Sequence, residues 1–167
     1  PIMPLTWEGT NDSSWVNREN WRPKGLTTEE TDTVIPNGKL HYPVLIADVK
    51  AKSVTIESGS TAEIDLSTFL IKTVSSKLSK VSNKGMLKLE GTNDQKAWFE
   101  ASNQDNKIVL ENGSTVSYYG TSASHIYSGP YKNLNLSRSI STTGLTVENA
   151  TKIDQLITIT SDNQTYK

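Results

Sequence analysis

The side chains that could perform catalysis in this chain are mainly carboxylates. Hydrolysis of a polysaccharide needs two Asp or Glu side chains that converge on one face of the fold. An early acidic set falls in polar turns, and a later set follows short apolar segments; they are Asp12, Glu19, Glu29, Glu30 and Asp32, then Glu57, Glu90, Glu111 and Glu148. We interpret the later set as a repeated corner and Asp32 as a residue that orders backbone. The sequence therefore predicts no catalytic residues and no enzymatic activity.

Metal binding has little support from residue types. The chain has two histidines, His41 and His125, and no cysteine, which excludes disulfides, thiolate metal sites and a cysteine nucleophile. Oxygen ligands suited to Ca²⁺ occur at residues 11–12, 93–94, 103–106 and 162–163. None has the spacing of a known calcium loop, and Asn and Asp also belong in turns for conformational reasons. We predict no cofactor and no metal ligands, with calcium as the cation that these turns could hold.

A second group of aromatic residues could bind a ligand. Four tyrosines lie within a short span, and a tryptophan precedes them in the polar segment WFEASNQDN (residues 98–106), which we interpret as a loop insertion; the candidates are Trp98, Tyr118, Tyr119, Tyr127 and Tyr131. Aromatic faces stack on sugar rings, so these side chains could form an external ladder for a glycan. The alternative is that the tyrosines are strand residues that pack inside the fold. His125, in the same region, could line a groove or be an ordinary loop residue.

Composition limits the classes of partner. The 167 residues fit one domain, and the net charge of −1 with no basic run gives no support for nucleic acid or an anionic membrane. No apolar stretch approaches the roughly 18 residues of a membrane span. Hydrophobic residues make up 34% of the chain, and they are strongly patterned.

The pattern predicts an all-β protein. Thr, Ser, Asn, Val and Ile dominate, and no long segment has helical periodicity. Short alternating strands end in Gly-, Asn- or Ser-rich turns over residues 53–65, 85–94, 107–120, 133–140, 144–153 and 155–163, and VTIESGSTAEI aligns with IVLENGSTVSY. A right-handed parallel β-helix, or solenoid, explains a repeated phrase because each turn of the helix needs the same strand and corner. An antiparallel β-sandwich or jelly roll is the alternative.

The beginning of the chain carries a resemblance. A leader of bacterial secreted and cell-surface β-solenoid proteins of the adhesin-like type resembles this part of the chain in its motif residues, which here are Thr6-Trp7-x-Gly9, Trp15, Asn20-Trp21, Pro23, Asp32-x-Val34-Ile35-Pro36 and Tyr42-Pro43. The later segment GPYKNLNL resembles a phrase in the repeats of the same proteins. The resemblance covers about residues 5–60. It implies an N-terminal Trp-rich leader or cap (1–43), then β-solenoid repeats (44–167) that continue in a longer parent chain, and an extracellular or cell-surface location in a bacterium. It implies no catalytic residues.

The tryptophans of the leader have two possible roles. Trp7, Trp15 and Trp21 precede the first predicted repeat, where a solenoid needs a cover over its exposed core and strand edges. We predict that at least two of these indoles are buried and that the amide of Asn20 binds loop backbone. The alternative is a platform on which sugars stack.

Three functions follow from these observations. The favoured one is a non-catalytic module of a bacterial surface or secreted protein, with a role in adhesion or envelope structure. The alternatives are a carbohydrate-binding module that uses the aromatic group and, last, a fragment of a polysaccharide-degrading enzyme. The partner would be a glycan or a host or cell-surface protein, and an exposed strand edge could pair with a second copy as a dimer.

Overall fold

The protein is all-β, as the sequence predicts. A computed structural model describes residues 2–46, 49–64, 71–72, 79–89, 93–119, 124–127, 130–136, 145–147 and 153–159. The strands are β1 (Leu5–Trp7), β2 (Trp21–Arg22), β3 (Asp32–Ile35), β4 (Val44–Leu45), β5 (Val49–Lys50), β6 (Ser53–Ile56), β7 (Thr61–Ile64), β8 (Ile71–Lys72), β9 (Lys80–Asn83), β10 (Met86–Leu89), β11 (Ile108–Leu110), β12 (Thr115–Tyr118), β13 (Ser124–Ile126), β14 (Tyr131–Leu136), β15 (Leu145–Val147) and β16 (Ile153–Ile159). The strands predicted over residues 53–65, 85–94 and 107–120 are confirmed as β6–β7, β10 and β11–β12.

Two six-stranded sheets contain most of the strands. The first sheet has the order β11-β9-β6-β3-β1-β2, and the second has the order β16-β14-β12-β10-β7-β4. Two smaller pairs, β5 with β8 and β13 with β15, are separate. Among the described ladders, β1–β2 is antiparallel and the others are parallel. From β3 to β12 the chain therefore visits the first and second sheets alternately.

The core lies between the inward faces of these strands. In the first sheet Val54 pairs in register with Val81, and Val81 with Ile108, at equal separations along the chain. All three are buried. In the second sheet Leu87, Val116 and Leu134 form a similar buried column. Most of the residues that flank this column along the strands are half-buried; they are Met86, Lys88, Thr115, Asn133 and Asn135. This alternation is what a period of two residues produces when one face of a strand is buried.

The corners between the two sheets repeat one design. Gly59 and Gly113 have φ angles of +81° and +83°, which a residue with a side chain rarely adopts. The backbone N–H of Ser60 donates to the carbonyl oxygen of Glu57, and that of Ser114 donates to the carbonyl oxygen of Glu111, at 3.0 Å in both cases. The aligned phrases ESGST and ENGST are therefore two copies of the same turn.

One α-helix, α1 (Asn93–Gln104), corrects the interpretation of residues 98–106 as a loop insertion. Trp98, Phe99 and Ser102 are buried, while Ala101 and Gln104 are exposed, so one side of the helix faces the core over these residues. The sequence of α1 has no long amphipathic pattern, because its large apolar residues are the neighbouring Trp98 and Phe99. Asn106, with φ of +54°, follows the helix and ends it in a left-handed turn.

Candidate functional site

The three leader tryptophans form one buried cluster. Trp7 and Trp21 are fully buried and Trp15 is 3% exposed, which confirms the prediction that at least two are buried. The Trp21 ring makes edge-on contacts with both others, at centroid distances of 5.0 Å to Trp7 and 4.8 Å to Trp15. Such T-shaped pairs are a favoured aromatic geometry. The rings therefore face mainly one another and the core, which favours packing over a sugar platform.

Each indole N–H of the cluster has a partner. Trp7 Nε1 donates to the carbonyl oxygen of His41 at 2.7 Å, Trp15 Nε1 to Thr27 Oγ1 at 2.8 Å, and Trp21 Nε1 to the carbonyl oxygen of Trp15 at 2.8 Å. His41 thus takes part through its backbone. Satisfied donors make burial of these side chains favourable, because a buried N–H without a partner costs about 1–3 kcal/mol.

Asn20 connects the loop that carries the cluster. It is fully buried, and its Oδ1 accepts from the backbone N–H groups of Asn11 and Asp12 at 3.2 and 3.4 Å. Its Nδ2 donates to Asp12 Oδ1 at 2.6 Å and to the carbonyl oxygen of Ser14 at 3.0 Å. The prediction that this amide binds loop backbone is confirmed. The Ser14 N–H, with the amides of Asn17 and Asn20, holds the pKa of the Asp12 carboxyl below its usual value.

The cluster lies at one end of both large sheets. β1 pairs with β3, and β2, which starts with Trp21, runs antiparallel to β1 and forms the edge of the first sheet. In the second sheet β4 is the edge strand, and Ser14 pairs with its Val44 through an isolated parallel bridge. The segment of residues 5–22 therefore lies against β3 in the first sheet and β4 in the second. We call it the lid segment.

The predicted ligand-binding aromatics form a second interior cluster. Tyr118, Tyr127 and Tyr131 are fully buried, and Trp98 is 2% exposed. Phe99 packs against Tyr127 and Tyr131 at centroid distances of 5.5 and 5.9 Å. This burial supports the alternative in which the tyrosines pack inside the fold. We call Tyr118, Tyr127, Tyr131, Trp98 and Phe99 the inner aromatic cluster.

A closed set of hydrogen bonds joins the three buried tyrosines. The Tyr131 hydroxyl donates to the carbonyl oxygen of Tyr127 at 2.5 Å, and the Tyr118 hydroxyl lies 2.7 Å from the Tyr131 hydroxyl and can donate to it. The Tyr127 N–H donates to the Tyr118 hydroxyl at 3.2 Å. Burial raises the pKa of both Tyr118 and Tyr131 well above the usual value, since their phenolates would lose hydration.

An alkaline titration tests this burial. In the 295 nm absorbance titration of the native protein, we expect at least two of the six tyrosines to stay protonated through pH 10. Because their folded pKa is raised, these phenols contribute stability below about pH 10 and lose it as the pH rises further. The missing absorbance should appear together with unfolding, followed by circular dichroism. Six phenols that titrate near pH 10 while the fold remains intact would contradict the buried cluster.

Tyr119 differs from the other candidates. It is half-buried, and the Lys88 ammonium lies 5.3 Å from the centroid of its ring. This distance is typical of a cation–π contact. Of the five predicted ligand-binding residues, Tyr119 is therefore the one that the structure places toward the surface.

The candidate carboxylates of the described residues occupy different positions in the fold. Asp32 begins β3, and its Oδ1 accepts from Ser53 Oγ at 2.6 Å. Glu57, Lys84 and Glu111 lie at equivalent corners on successive turns. Their backbone N–H groups donate to the carbonyl oxygens of Ile35, Ile56 and Asn83, respectively, each at the end of the neighbouring strand in the first sheet. Glu90 and Glu148 lie outside the described residues, and so does the side chain of His125.

The calcium candidates have separate surroundings. Asp12 is bound by the loop around Asn20, and residues 103–106 cover the end of α1 and the turn after it. The side chains of residues 93–94 and the whole of residues 162–163 lie outside the described part. Within that part, no three His, Asp or Glu side chains are grouped so that they could hold a metal ion. Over the same residues, no helix has the length and hydropathy to cross a membrane.

A groove on the outward face of the second sheet was missed by the sequence analysis. It has a volume of about 380 Å³ and is lined by Tyr42, Thr61, Met86, Lys88, Ser117 and Asn135, with residues 43–44 at one side. Lys88 pairs in register with Ser117, and Ser117 with Asn135. The signal was present in LKL, VSY and LNL, where one polar residue lies between two apolar ones. We call this the outer groove.

A second groove, of about 350 Å³, lies where the lid segment meets the second sheet. It is lined mainly by apolar side chains, among them Trp15, Leu45 and Val49, and by the exposed Val16 and Ile46. It contains no ionisable side chain among its lining residues.

Comparison with known protein families, curated proteins and solved structures finds no match to this chain. The fold and the two clusters therefore define its class as an all-β protein built on two mainly parallel sheets with a tryptophan-rich end.

Proposed function

We propose that the chain is a right-handed parallel β-helix and that the lid segment caps its N-terminal end. The supporting observation is the path of the chain, which alternates between two sheets while each strand pairs in parallel with the strand one turn earlier. β5 and β8 add a third short parallel pair between the visits to the large sheets. A right-handed path is the usual one for parallel connections. A sandwich or jelly roll is built from antiparallel neighbours, so these ladders favour the β-helix.

The role of the lid segment as a cap is supported by what an open end would expose. The end of a parallel stack presents unpaired strand edges and apolar side chains, and both favour aggregation. β2 is antiparallel to β1, and Ser14 meets the edge strand β4 at a single bridge, so the segment does not offer another regular parallel edge. The three indoles of the lid segment are buried on its inner side, toward the core.

We infer that this β-helix is a non-catalytic module of a bacterial surface or secreted protein, with a role in adhesion or envelope structure. The observation that supports this function is the series of parallel ladders, because a β-helix with backbone bonds between its turns would provide a regular scaffold. The leader resemblance over residues 5–60 supports the extracellular location. A glycan or a host or cell-surface protein is the proposed partner. The carbohydrate-binding alternative loses the support of an exposed tyrosine ladder, because those rings are buried.

Surface exposure in the native host tests the proposed function. In intact cells of the bacterium that encodes the chain, we expect antibody to label the protein and externally added protease to remove it, with a cytoplasmic protein untouched as the control. Loss of the protein only after cell lysis would contradict the surface role. Small-angle scattering of the isolated chain tests the scaffold, since a stack of turns should give an elongated profile.

A further inference from the structure

We propose that the groove between the lid segment and the second sheet binds a small uncharged molecule that has an apolar body and one hydroxyl group. We call it the lid groove. Its described lining lies in residues 13–16, 44–46 and 49, so it is separate from the aromatic residues that the sequence suggested as ligand-binding. The site goes beyond the proposed scaffold role and does not depend on where the protein is located.

The walls of the lid groove are apolar side chains from two parts of the chain. Trp15 and Val16 come from the lid segment, and Leu45 lies on β4, the edge strand of the second sheet. Ile46 follows that strand, and Val49 begins β5. Trp15, Leu45 and Val49 are buried, whereas Val16 and Ile46 are 67% and 60% exposed. An apolar ligand that covers the two exposed side chains removes their surface from water, which favours binding.

Two serines add hydrogen-bonding groups to these apolar walls. Ser13 and Ser14 line the groove, and both are half-buried. The carbonyl oxygen of Ser13 accepts from the Val44 N–H at 2.9 Å, and that of Ser14 accepts from Asn20 Nδ2 at 3.0 Å. Among the described residues neither serine hydroxyl has a hydrogen-bond partner, so the hydroxyls are the polar groups available to a ligand. A few polar groups in a mainly apolar pocket fix the orientation of a ligand, and a hydroxyl can both donate and accept.

The charge and size of the lid groove restrict its ligand. No Lys, Arg, His, Asp or Glu is among its described lining residues, so a charged ligand would lose hydration without gaining an opposite charge. The volume of about 350 Å³ is within the range of small-molecule sites. A stable protein interface uses roughly 20–30 residues on each side, which is many more than the described lining provides. These properties favour a small neutral molecule over a protein partner or a second copy of the chain.

Amide-resolved NMR titration of the whole chain at pH 7 tests the site directly. The probes are 4-butylphenol and 4-butylbenzoate, which share an apolar body; the first is neutral at this pH and the second is ionised. We expect shift changes at residues 13–16 and 44–46, with 4-butylphenol binding about tenfold more tightly than 4-butylbenzoate. No shift changes with 4-butylphenol, or changes confined to other residues, would overturn the proposal. Equal or tighter binding of 4-butylbenzoate would overturn the preference for an uncharged ligand.

A matched pair of aspartate variants locates the ligand. Val16→Asp places a carboxylate at the groove, and we expect it to weaken the binding of 4-butylphenol about tenfold. Leu26→Asp changes an apolar residue of similar exposure outside the described lining, and it should bind the probe like the parent. Unchanged thermal unfolding would show that both folds are intact, and Ile46→Asp, on the β4 side of the groove, repeats the test independently. Equal losses at Val16 and Leu26, or no loss at either Val16 or Ile46, would overturn the proposal.

The double variant Ser13→Ala, Ser14→Ala tests the hydroxyl group of the ligand. It keeps the apolar walls, and we expect it to weaken the binding of 4-butylphenol about fivefold because a hydrogen bond to the ligand is lost. Butylbenzene, which has no hydroxyl group, is the control probe and should bind the parent and the double variant equally. Equal binding of 4-butylphenol to the two proteins would overturn the role of the serines.

Discussion

Trp21→Ala is expected to lower the free energy of unfolding by about 3–5 kcal/mol. Trp21 is fully buried and contacts both other indoles of the lid segment, so its removal opens a cavity that neither neighbour can fill without leaving its own partner. It also removes the donor to the carbonyl oxygen of Trp15. Urea unfolding followed by far-UV circular dichroism measures the loss without relying on tryptophan fluorescence.

Two variants make the Trp21 result specific. Leu40→Ala removes an apolar side chain that is 79% exposed, and it should change the free energy of unfolding by less than about 0.5 kcal/mol. Trp21→Phe keeps part of the ring packing and should lose less than Trp21→Ala. A Trp21→Ala protein that unfolds like the parent but has lost binding to a glycan would contradict the cap and support the sugar platform instead.

The all-β class could be predicted because its signal is local. Alternation of apolar and polar residues in segments such as SVTI and MLKL sets which face of each strand is buried, and Gly59 and Gly113 mark the corners. The pairing of strands is not local. The phrase that repeats at β6 and β11 is interrupted by β9, which lies between them in the sheet and has Asn83 where they have Ile56 and Leu110. The similarity between the two phrases therefore indicated a repeat, but it did not show which strands pair with each other.

The candidate site was harder to predict because the same residue types serve opposite roles. Tyr118 and Tyr119 are adjacent, yet the first is fully buried and the second reaches Lys88. Which of two neighbouring residues faces inward depends on the register of β12, and one residue of shift exchanges them. The helix α1 was missed for a related reason, since Trp98 and Phe99 are its buried apolar residues among the helix side chains that the structure describes. The role of Asn20 was easier to predict, because a polar side chain that is buried beside aromatic residues in a turn needs hydrogen-bond partners from the backbone.

Gly9→Ala is expected to destabilise the protein by about 3 kcal/mol or more. Gly9 has φ of +57°, and a methyl group at this position would overlap the carbonyl oxygen of His41 and lie 2.5 Å from Trp7 Nε1. Those two atoms form the hydrogen bond that holds the Trp7 indole, at 2.7 Å. The methyl group therefore has to push the two partners apart, and the main-chain bond from the His41 N–H to the Gly9 carbonyl oxygen is strained with them.

Gly38→Ala separates this collision from backbone strain. Gly38 has φ of +77°, so alanine suffers a similar conformational cost, but a methyl group there meets no atom within 4 Å. We expect Gly38→Ala to lose about 1–2 kcal/mol, the left-handed penalty alone. The excess loss in Gly9→Ala then measures how far the fold depends on close contact between the lid segment and the chain around His41. Equal losses in the two variants, measured by urea unfolding at one pH, would mean that the lid segment can move away from His41 at little cost, and a rigid cap would then be excluded.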